Sequence, residues 1–435
     1  MSDAPVKVIK GGVIVDPEEG EKEGLCVVIE GGRVTGLVPP EEAPAGEGVE
    51  VIDAEGLHVL PGLVDLHVHL RDPGYEWKED IQSGTAAAAA GGFTSVVCMA
   101  NTDPVNDDPE TTRYIVERAR EVGKAKVYPV AAITKGLKGE ELTNMGELLE
   151  AGAVAFSDDG KPVASALILS RAMEYSLMFG APLILHEEEI TLSKGGCLNE
   201  GKMSTRLGLP GIPASSEICA VARDIALAEY TGAKVHIAHV STAGAVEIIK
   251  RARERGVAVT AETAPHYLTL TEEATEGFNT RAKMNPPLRT ERDREALLQA
   301  LAEGVIDCVA TDHAPHEDLV KECEFDVAAF GIIGLQTALP LTLRALESAG
   351  KGVKELVKVM SYNPSKVIGI KGGKIEKGGP ADITLVDLSR EWVFTEDVNL
   401  SKSRNSPFLG WTLKGKVVLT MVDGKVTYRE ESRVR

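Results

Sequence analysis

An alternation of short apolar runs with helix-like stretches, between residues 62 and 371, limits the possible folds of this chain more than any other feature. Eight strand–helix units in about 310 residues favour an α/β fold, a parallel (β/α)8 barrel of the TIM type. The eight apolar runs of strand length cover residues 63–68, 94–99, 126–132, 153–156, 182–186, 234–239, 257–262 and 306–311.

The two ends of the chain carry a different pattern. Valine and isoleucine alternate with polar residues and turn at glycine pairs, and Asp423-Gly424 between two valine-rich runs is typical of a β-hairpin. We expect both ends to pair into one small composite β-sandwich beside the barrel. The predicted domains are 1–60, the N-terminal part of the sandwich, 61–371, the catalytic barrel, and 372–435, the C-terminal part of the sandwich.

Composition narrows the choice of partners and compartment. The 66 acidic against 47 basic residues give a formal net charge of −19, which argues against nonspecific nucleic-acid binding. Apolar stretches are shorter than the roughly 18 residues of a membrane span, and the first residues lack a signal-peptide core. Six scattered cysteines without a CxxC pair indicate free thiols. We therefore expect a cytoplasmic protein that acts on a small molecule.

The run DLHVHLRDPG at residues 65–74 carries the strongest chemical signal. Residues two apart on a strand face the same side, so His67 and His69 aim at a common point. That point lies at the C-terminal end of the first barrel strand, where barrel enzymes place their chemistry. Imidazole is a good ligand for Zn²⁺, but the pair alone is weak evidence for a metal site.

The ends of the other predicted strands strengthen the metal interpretation. Asp158-Asp159 follow the fourth run, His186 and His239 end the fifth and sixth, and Asp312 follows the eighth. Several imidazoles and carboxylates on one rim are poorly explained as separate buried histidines.

Two ions suit this set. His67, His69 and Asp312 could hold one ion, and His186 and His239 a second. Two neighbouring cations need a bridging anion, for which Asp159 is our choice and Asp158 the close alternative. His236, three positions before His239, should face the other way and be structural.

The motifs together resemble a known family. The stretches PGLVDLHVHLRDPG, CMANTDPVND, AFSDDGKPV, KMNPPLR, ATDHAPH and FGIIGLQT resemble the metal-dependent amidohydrolase superfamily, and within it the type I dihydroorotases. The resemblance implies two Zn²⁺ ions, one on His67, His69 and Asp312 and one on His186 and His239, with Asp159 shared. Many relatives use a carbamylated lysine as the bridge, but the fourth strand has none and Lys161 lies beyond it.

The resemblance also implies an activity, the zinc-dependent reversible cyclisation of N-carbamoyl-L-aspartate to (S)-dihydroorotate in pyrimidine biosynthesis. Asp312 would shuttle the proton. Arg71 suits the substrate carboxylate, with a rim salt bridge to Asp72 or Asp80 as the alternative. Asp72, Glu79 and His266 are expected to support the site residues without contacting substrate or metal, or to be structural. The family places these residues against the substrate: His69, Arg71, Asn101, Asn285, His316, Phe330 and Gly331.

Rival interpretations remain at this point. One is another cyclic amidohydrolase, an allantoinase or a hydantoinase, and the other is a non-catalytic scaffold for aspartate transcarbamoylase. The family suggests a homodimer or a complex with aspartate transcarbamoylase. The mixed charge of residues 317–331 predicts a mobile lid. Ala329 and Gln336 depart from the proline and glutamate usual in relatives, which puts the stiffness of that lid in doubt.

Overall fold

The computed structural model describes residues 5–430, which contain twenty strands and thirteen α-helices. The strands are β1 (Val6–Lys10), β2 (Val13–Asp16), β3 (Gly20–Lys22), β4 (Cys26–Glu30), β5 (Arg33–Val38), β6 (Val49–Asp53), β7 (His58–Pro61), β8 (Leu63–Val68), β9 (Phe93–Cys98), β10 (Lys126–Ala131), β11 (Ala155–Phe156), β12 (Leu183–Leu185), β13 (Leu198–Asn199), β14 (Gly211–Ile212), β15 (Val235–Ile237), β16 (Val259–Thr263), β17 (Cys308–Val309), β18 (Ile383–Val393), β19 (Thr412–Val422) and β20 (Lys425–Arg429). The helices are α1 (Ile81–Ala90), α2 (Pro109–Val122), α3 (Met145–Ala151), α4 (Ala166–Ser176), α5 (Ile190–Ser193), α6 (Lys202–Leu207), α7 (Ala214–Thr231), α8 (Ala243–Glu254), α9 (Pro265–Thr269), α10 (Glu291–Glu303), α11 (Ala338–Ser348), α12 (Val353–Val357) and α13 (Asn363–Val367).

Eight parallel strands form the central barrel, in the order β8-β9-β10-β11-β12-β15-β16-β17. The barrel is nearly closed, because Val68 at the end of β8 forms a parallel bridge with His313, which follows β17. Each of the eight predicted runs overlaps one of these strands, so the predicted (β/α)8 barrel is confirmed. Apolar side chains that pack together inside it include Val64, Val97, Val130 and Ile184.

Several strands stop earlier than the apolar pattern predicted. The run 234–239 contains a strand only over Val235–Ile237, and the run 306–311 only over Cys308–Val309. His239 and Asp312 adopt positive φ angles of 34° and 46°, which take the chain out of the ladder. The strand ends therefore turn into the mouth of the barrel where the candidate ligands stand.

Helix α10 shows how local sequence sets the outer layer. Thr290 and Asp293 form a reciprocal capping box at its start, and Gly304 ends it in a left-handed conformation with φ 77°. Leu297 and Leu301, four residues apart, are buried in the core. The helix thus packs one apolar stripe inward and leaves its charged face outside.

Both ends of the chain build the β-sandwich. One sheet has the order β5-β4-β1-β6 and the other β20-β19-β18-β7-β2-β3, with an apolar cluster drawn from both sheets. Strand β18 pairs antiparallel with β7, so late strands complete a sheet begun by early ones. The hairpin at Asp423-Gly424 joins β19 to β20 as predicted.

The exact domain limits, 1–60, 61–371 and 372–435, stay a prediction, and residues 1–4 and 431–435 lie outside the described residues. Within residues 5–430, no helix combines the length and the apolar character needed to cross a membrane.

Candidate active site

The mouth of the barrel brings together the first group of candidate ligands. His69 Nε2 lies 3.1 Å and His67 Nε2 3.7 Å from Asp312 Oδ1. His67 Nε2 also lies 3.2 Å from Asp159 Oδ1, and all four side chains are buried. The ends of β8, β11 and β17 position them, as parallel barrel strands deliver their C-terminal ends to one rim.

A second pair of histidines also contacts Asp159. His186 Nδ1 is 2.9 Å from His239 Nε2, and these atoms lie 3.4 and 3.6 Å from Asp159 Oδ1. Asp159 therefore contacts both halves of the cluster.

The donor set fits divalent cations. Two buried triads, His67–His69–Asp312 and His67–Asp159–His239, each have one donor atom per residue within 4.8 Å of the others. Tetrahedral ligands about 2.0–2.1 Å from Zn²⁺ lie about 3.3 Å apart, so little rearrangement would be needed. The fully buried His67 Nε2 also meets no hydrogen-bond partner among the described residues. The sequence analysis paired His239 with His186, whereas the second triad pairs His239 with His67. His186 nevertheless lies beside His239.

Glu262 fixes the ring of His67 from behind. Its Oε1 accepts a hydrogen bond from His67 Nδ1 at 3.0 Å, which leaves Nε2 free to face the cluster. Its Oε2 accepts from His236 Nε2 at 3.1 Å, and His236 Nδ1 lies 2.8 Å from Thr260 Oγ1. Burial alone would raise the pKa of Glu262, but the hydrogen bonds from His236 and His67 outweigh it and hold that pKa at about 2.

Two further side chains orient ligand candidates in the same way. His69 Nδ1 donates to Asn101 Oδ1 at 2.9 Å, and Asn101 Nδ2 donates to Asp159 Oδ2 at 3.3 Å. His186 Nε2 donates to Glu188 Oε2 at 3.1 Å. Asn101, expected only at the substrate, thus also holds two of the candidate ligands.

Charge inside the cluster is strongly coupled. Burial opposes ionisation of Asp159, yet the charge of His67 and the close contacts with His186 and His239 keep its pKa well below the usual value. Burial likewise lowers the pKa of His67, but Asp159 and Asp312 raise it well above its usual value. The carboxylates of Asp159 and Asp312 therefore favour a positive charge between the histidines, either a proton or a metal cation.

The two adjacent aspartates have different surroundings. Asp158 Oδ1 accepts from the backbone amides of Ile133 and Thr134 at 2.8 and 3.0 Å, and its other oxygen accepts from the Thr134 hydroxyl. It faces the loop after β10, whereas Asp159 reaches the histidines. Lys161 is exposed just after the following turn.

A cavity of about 220 Å³ opens beside the cluster and is lined by most of the expected substrate residues. Arg71 is its only arginine or lysine among the described lining residues. Arg71 has a positive φ of 60° and donates through Nε to the Pro315 carbonyl at 3.3 Å. The expected substrate residues that line it are His69, Arg71, Asn101, Asn285, Phe330 and Gly331.

The alternative role of Arg71, a rim salt bridge, is not seen in the described residues. Asp72 accepts from the Tyr114 hydroxyl at 2.9 Å, and Asp80 caps α1 and pairs with Lys402. The Arg71 guanidinium is therefore not neutralised by either aspartate and can bind an anion in the cavity.

His316 stands next to Arg71 rather than on the cavity lining. Its Nε2 is 3.4 Å from Arg71 Nη2, and its Nδ1 is buried without a hydrogen-bond partner among the described residues. Burial and the neighbouring cations, Arg71 first among them, lower the pKa of His316 to about 2. The imidazole is therefore neutral and can offer one N–H to a ligand.

Several functional contacts were missed by sequence reasoning. Glu262 ends the seventh predicted strand, the same signal that marked Asp312, and Glu188 lies two residues beyond His186. His313, in ATDHAPH, bonds through Nε2 to Glu79 at 3.2 Å. His266, which was expected from the sequence to be a supporting or structural residue, is buried against Tyr267, and burial lowers its pKa to about 4.

The segment 317–331, expected to be a mobile lid, borders the cavity through its last two residues. Lys321 Nζ donates to the carbonyls of Ala329 at 2.8 Å and Gly331 at 3.1 Å. Lys283 Nζ donates to the Phe325 carbonyl at 2.7 Å. Two buried lysine side chains thus hold this segment, and its mobility stays a prediction.

Fold and site together define a barrel hydrolase of the metal-dependent amidohydrolase class. A family model described as "Dihydro-orotase-like" matches residues 56–245. The dihydroorotase of Syntrophotalea carbinolica is 51% identical over 422 residues, covering 97% of this chain and 99% of that protein. The dihydroorotase of Geobacter metallireducens is 52% identical over the same length and coverage. The chain belongs to the dihydroorotase family.

Solved structures agree on the fold. The L-hydantoinase (dihydropyrimidinase) of Arthrobacter aurescens superimposes with a TM-score of 0.88 at 25% identity, covering 99% of this chain and 97% of that one. The dihydropyrimidinase of Brevibacillus agri gives a TM-score of 0.84 at 25% identity, with 98% and 95% covered.

Proposed function

We propose that this chain is a dihydroorotase that interconverts N-carbamoyl-L-aspartate and (S)-dihydroorotate plus water. The observation that carries the proposal is the placement of the Arg71 guanidinium in the cavity, beside a buried His/Asp cluster, in a chain about half identical to named dihydroorotases. The ring of dihydroorotate carries a carboxylate, which a guanidinium binds through two parallel hydrogen bonds. A cyclic amide without a ring carboxylate would not form this ion pair with Arg71.

We assign two Zn²⁺ ions to the cluster. His67, His69 and Asp312 would hold one, His186 and His239 the other, and Asp159 would be shared. When bound, the ions would lower the pKa of the attacking water and polarise the scissile carbonyl.

Asp312 is the proton carrier in this proposal. In hydrolysis the ring C–N bond breaks, a hydroxyl adds to the carbonyl carbon, and the ring nitrogen gains a proton. Asp312 takes that proton from the attacking water and delivers it to the nitrogen. Cyclisation runs the same steps backwards and releases water.

Other residues bind and orient the substrate. Arg71 and the neutral His316 hold the carboxylate, with Asn101 and Asn285 beside them. The backbone of Phe330 and Gly331 contacts the ring. Asn285 Nδ2 already donates to Glu188 Oε2 at 3.1 Å, which fixes its amide.

Asp312→Asn tests the proton transfer. We expect metal content, measured by elemental analysis, to stay close to wild type while dihydroorotate turnover, followed by ultraviolet absorbance, collapses. Full activity in the variant would remove Asp312 from the mechanism.

The same assay separates the alternatives. Chelator-sensitive turnover of dihydroorotate supports the proposal, turnover of hydantoins alone supports a hydantoinase, and no turnover supports a scaffold for aspartate transcarbamoylase. Strand β11 leads into Ser157-Asp158-Asp159 without the lysine usual in hydantoinases, which favours dihydroorotase. Assembly as a homodimer or with aspartate transcarbamoylase, and residence in the cytoplasm, belong to the proposal and are tested by size-exclusion chromatography and fractionation.

A further inference from the structure

Asn405 lies in the C-terminal part of the chain that the sequence assigns to the sandwich, yet its buried side chain reaches the candidate active site. Its Oδ1 accepts from the backbone amide of His316 at 3.1 Å. Its Nδ2 donates to the carbonyls of Ala314 at 2.8 Å and Gly331 at 3.0 Å. Its own carbonyl accepts from the Ile333 amide at 3.0 Å. The amide uses its acceptor and both its donors in this one place.

The two segments that Asn405 joins are both walls of the site. Ala314 precedes His316, the neighbour of Arg71, and Gly331 lines the cavity with Phe330. They press closely together, since a Cβ at Gly331 would lie 2.5 Å from the Ala314 carbonyl oxygen. A small shift of either segment would therefore move the other.

The backbone also joins the two walls directly, because the Ala314 amide donates to the Ile332 carbonyl at 3.0 Å. Other side chains hold one wall at a time. Lys321 Nζ donates to the Gly331 carbonyl but not to the segment of Ala314 and His316. Arg71 donates to the Pro315 carbonyl but not to Gly331. Among the described residues outside these two segments, Asn405 is the one whose side chain hydrogen-bonds to both of them, to Ala314 and His316 on one side and to Gly331 on the other.

We propose that Asn405 is a positioning residue that sets the spacing between the carboxylate-binding and the ring-binding walls of the site, an inference that rests on the proposed dihydroorotase function. Asn405 touches neither substrate nor metal. It acts through the His316 backbone and the Gly331 carbonyl, and its loss loosens substrate binding more than the chemical step.

The experiment compares Asn405→Asp and Asn405→Ala in the full chain. Asp has the volume of Asn and keeps the acceptor for His316, but it turns an oxygen towards the carbonyls of Ala314 and Gly331. We expect the KM for dihydroorotate to rise about tenfold or more in both variants, with kcat and metal content close to wild type, because Asn405→Asp loses two buried hydrogen bonds and Asn405→Ala loses three. Arg404→Ala is the matched control. Arg404 is the neighbouring residue, its side chain is half-exposed, and Glu396 is its one ion-pair partner within residues 5–430.

Amide hydrogen exchange gives a readout that is independent of turnover. Faster exchange confined to residues 313–316 and 330–333 is expected in both variants and not in the control. An Asn405→Asp enzyme with wild-type KM, or unchanged exchange in these segments, would overturn the proposal and leave Asn405 a packing residue. If the wild type itself lacks turnover, the proposed function fails, while the exchange comparison still decides whether Asn405 positions the two walls.

Discussion

Replacing Glu262 by glutamine tests whether a buried charge behind the cluster strengthens metal binding. The carboxylate accepts from His67 Nδ1 and His236 Nε2 at 3.0 and 3.1 Å. Glutamine keeps nearly the same shape, so its oxygen can still accept from His67. Its amide can donate to His236 if that ring moves its proton to Nδ1 and donates to Thr260 instead. The substitution therefore removes a charge and preserves the hydrogen-bond pattern.

The expected magnitude follows from the strength of these bonds. A hydrogen bond to a charged partner contributes about 1.5–3 kcal/mol and a neutral one about 0.5–1.5 kcal/mol. If His67 is a ligand as proposed, its bond to residue 262 should weaken by about 1–1.5 kcal/mol, which corresponds to about a tenfold loss of metal affinity. That agrees with the roughly 10–100-fold losses typical when such outer partners are changed.

The assay is zinc competition against a chromophoric chelator at pH 7, with thermal unfolding to show that the variant is folded. Glu21→Gln is the matched control, because Glu21 accepts from His58 Nε2 at 3.0 Å in the same kind of pair, half-exposed and far along the chain from the cluster. We expect the control to bind zinc like wild type. A folded Glu262→Gln protein with unchanged zinc affinity would refute the reasoning.

Three more predictions concern the rest of the molecule. Gly91→Ala should cost about 1–3 kcal/mol in urea unfolding because its Cβ would meet the Leu335 carbonyl at 2.1 Å, whereas Gly352→Ala, with open space around it, should be close to neutral. Asp16→Asn should destabilise the protein at neutral pH. Burial opposes ionisation of Asp16, but backbone hydrogen bonds and two lysines lower its pKa, so the gap to wild type should shrink as pH falls below about 4, and a constant gap would contradict this. Cys219, the one exposed cysteine among the described residues, should react first with a thiol reagent in the native protein, and a Cys219→Ser variant should lose that fast phase.

The barrel and the positions of the candidate ligands could be predicted because both follow from chain periodicity. Apolar runs of strand length separated by helices specify a parallel barrel, and a parallel barrel puts every strand's C-terminal end on one rim. His67, His186, His239 and Asp312 were found by this rule. Glu262 also stands at the end of its predicted strand, so the same rule places it on this rim.

The choice between Asp158 and Asp159 could not be made from sequence. Adjacent residues on a strand face opposite ways, but β11 has only two residues and both aspartates follow it. Which side chain turns inward depends on the loop after β10, whose backbone amides at Ile133 and Thr134 capture Asp158. That capture is a tertiary contact with no local pattern behind it.

The role of Asn405 shows a deeper reason why part of the site escapes sequence reasoning. Metal ligands and carboxylate binders must be particular side chains, so chemistry leaves a residue type at each position. Asn405 instead recognises the carbonyls of Ala314 and Gly331 and the amide of His316, which any residue there would offer. Its own position, in a polar stretch between two strands of the sandwich, is typical of an ordinary turn. When one partner of a contact is a backbone group, its residue type carries no sign of the contact. The side-chain partner is then hard to recognise, because it can lie far away in the sequence.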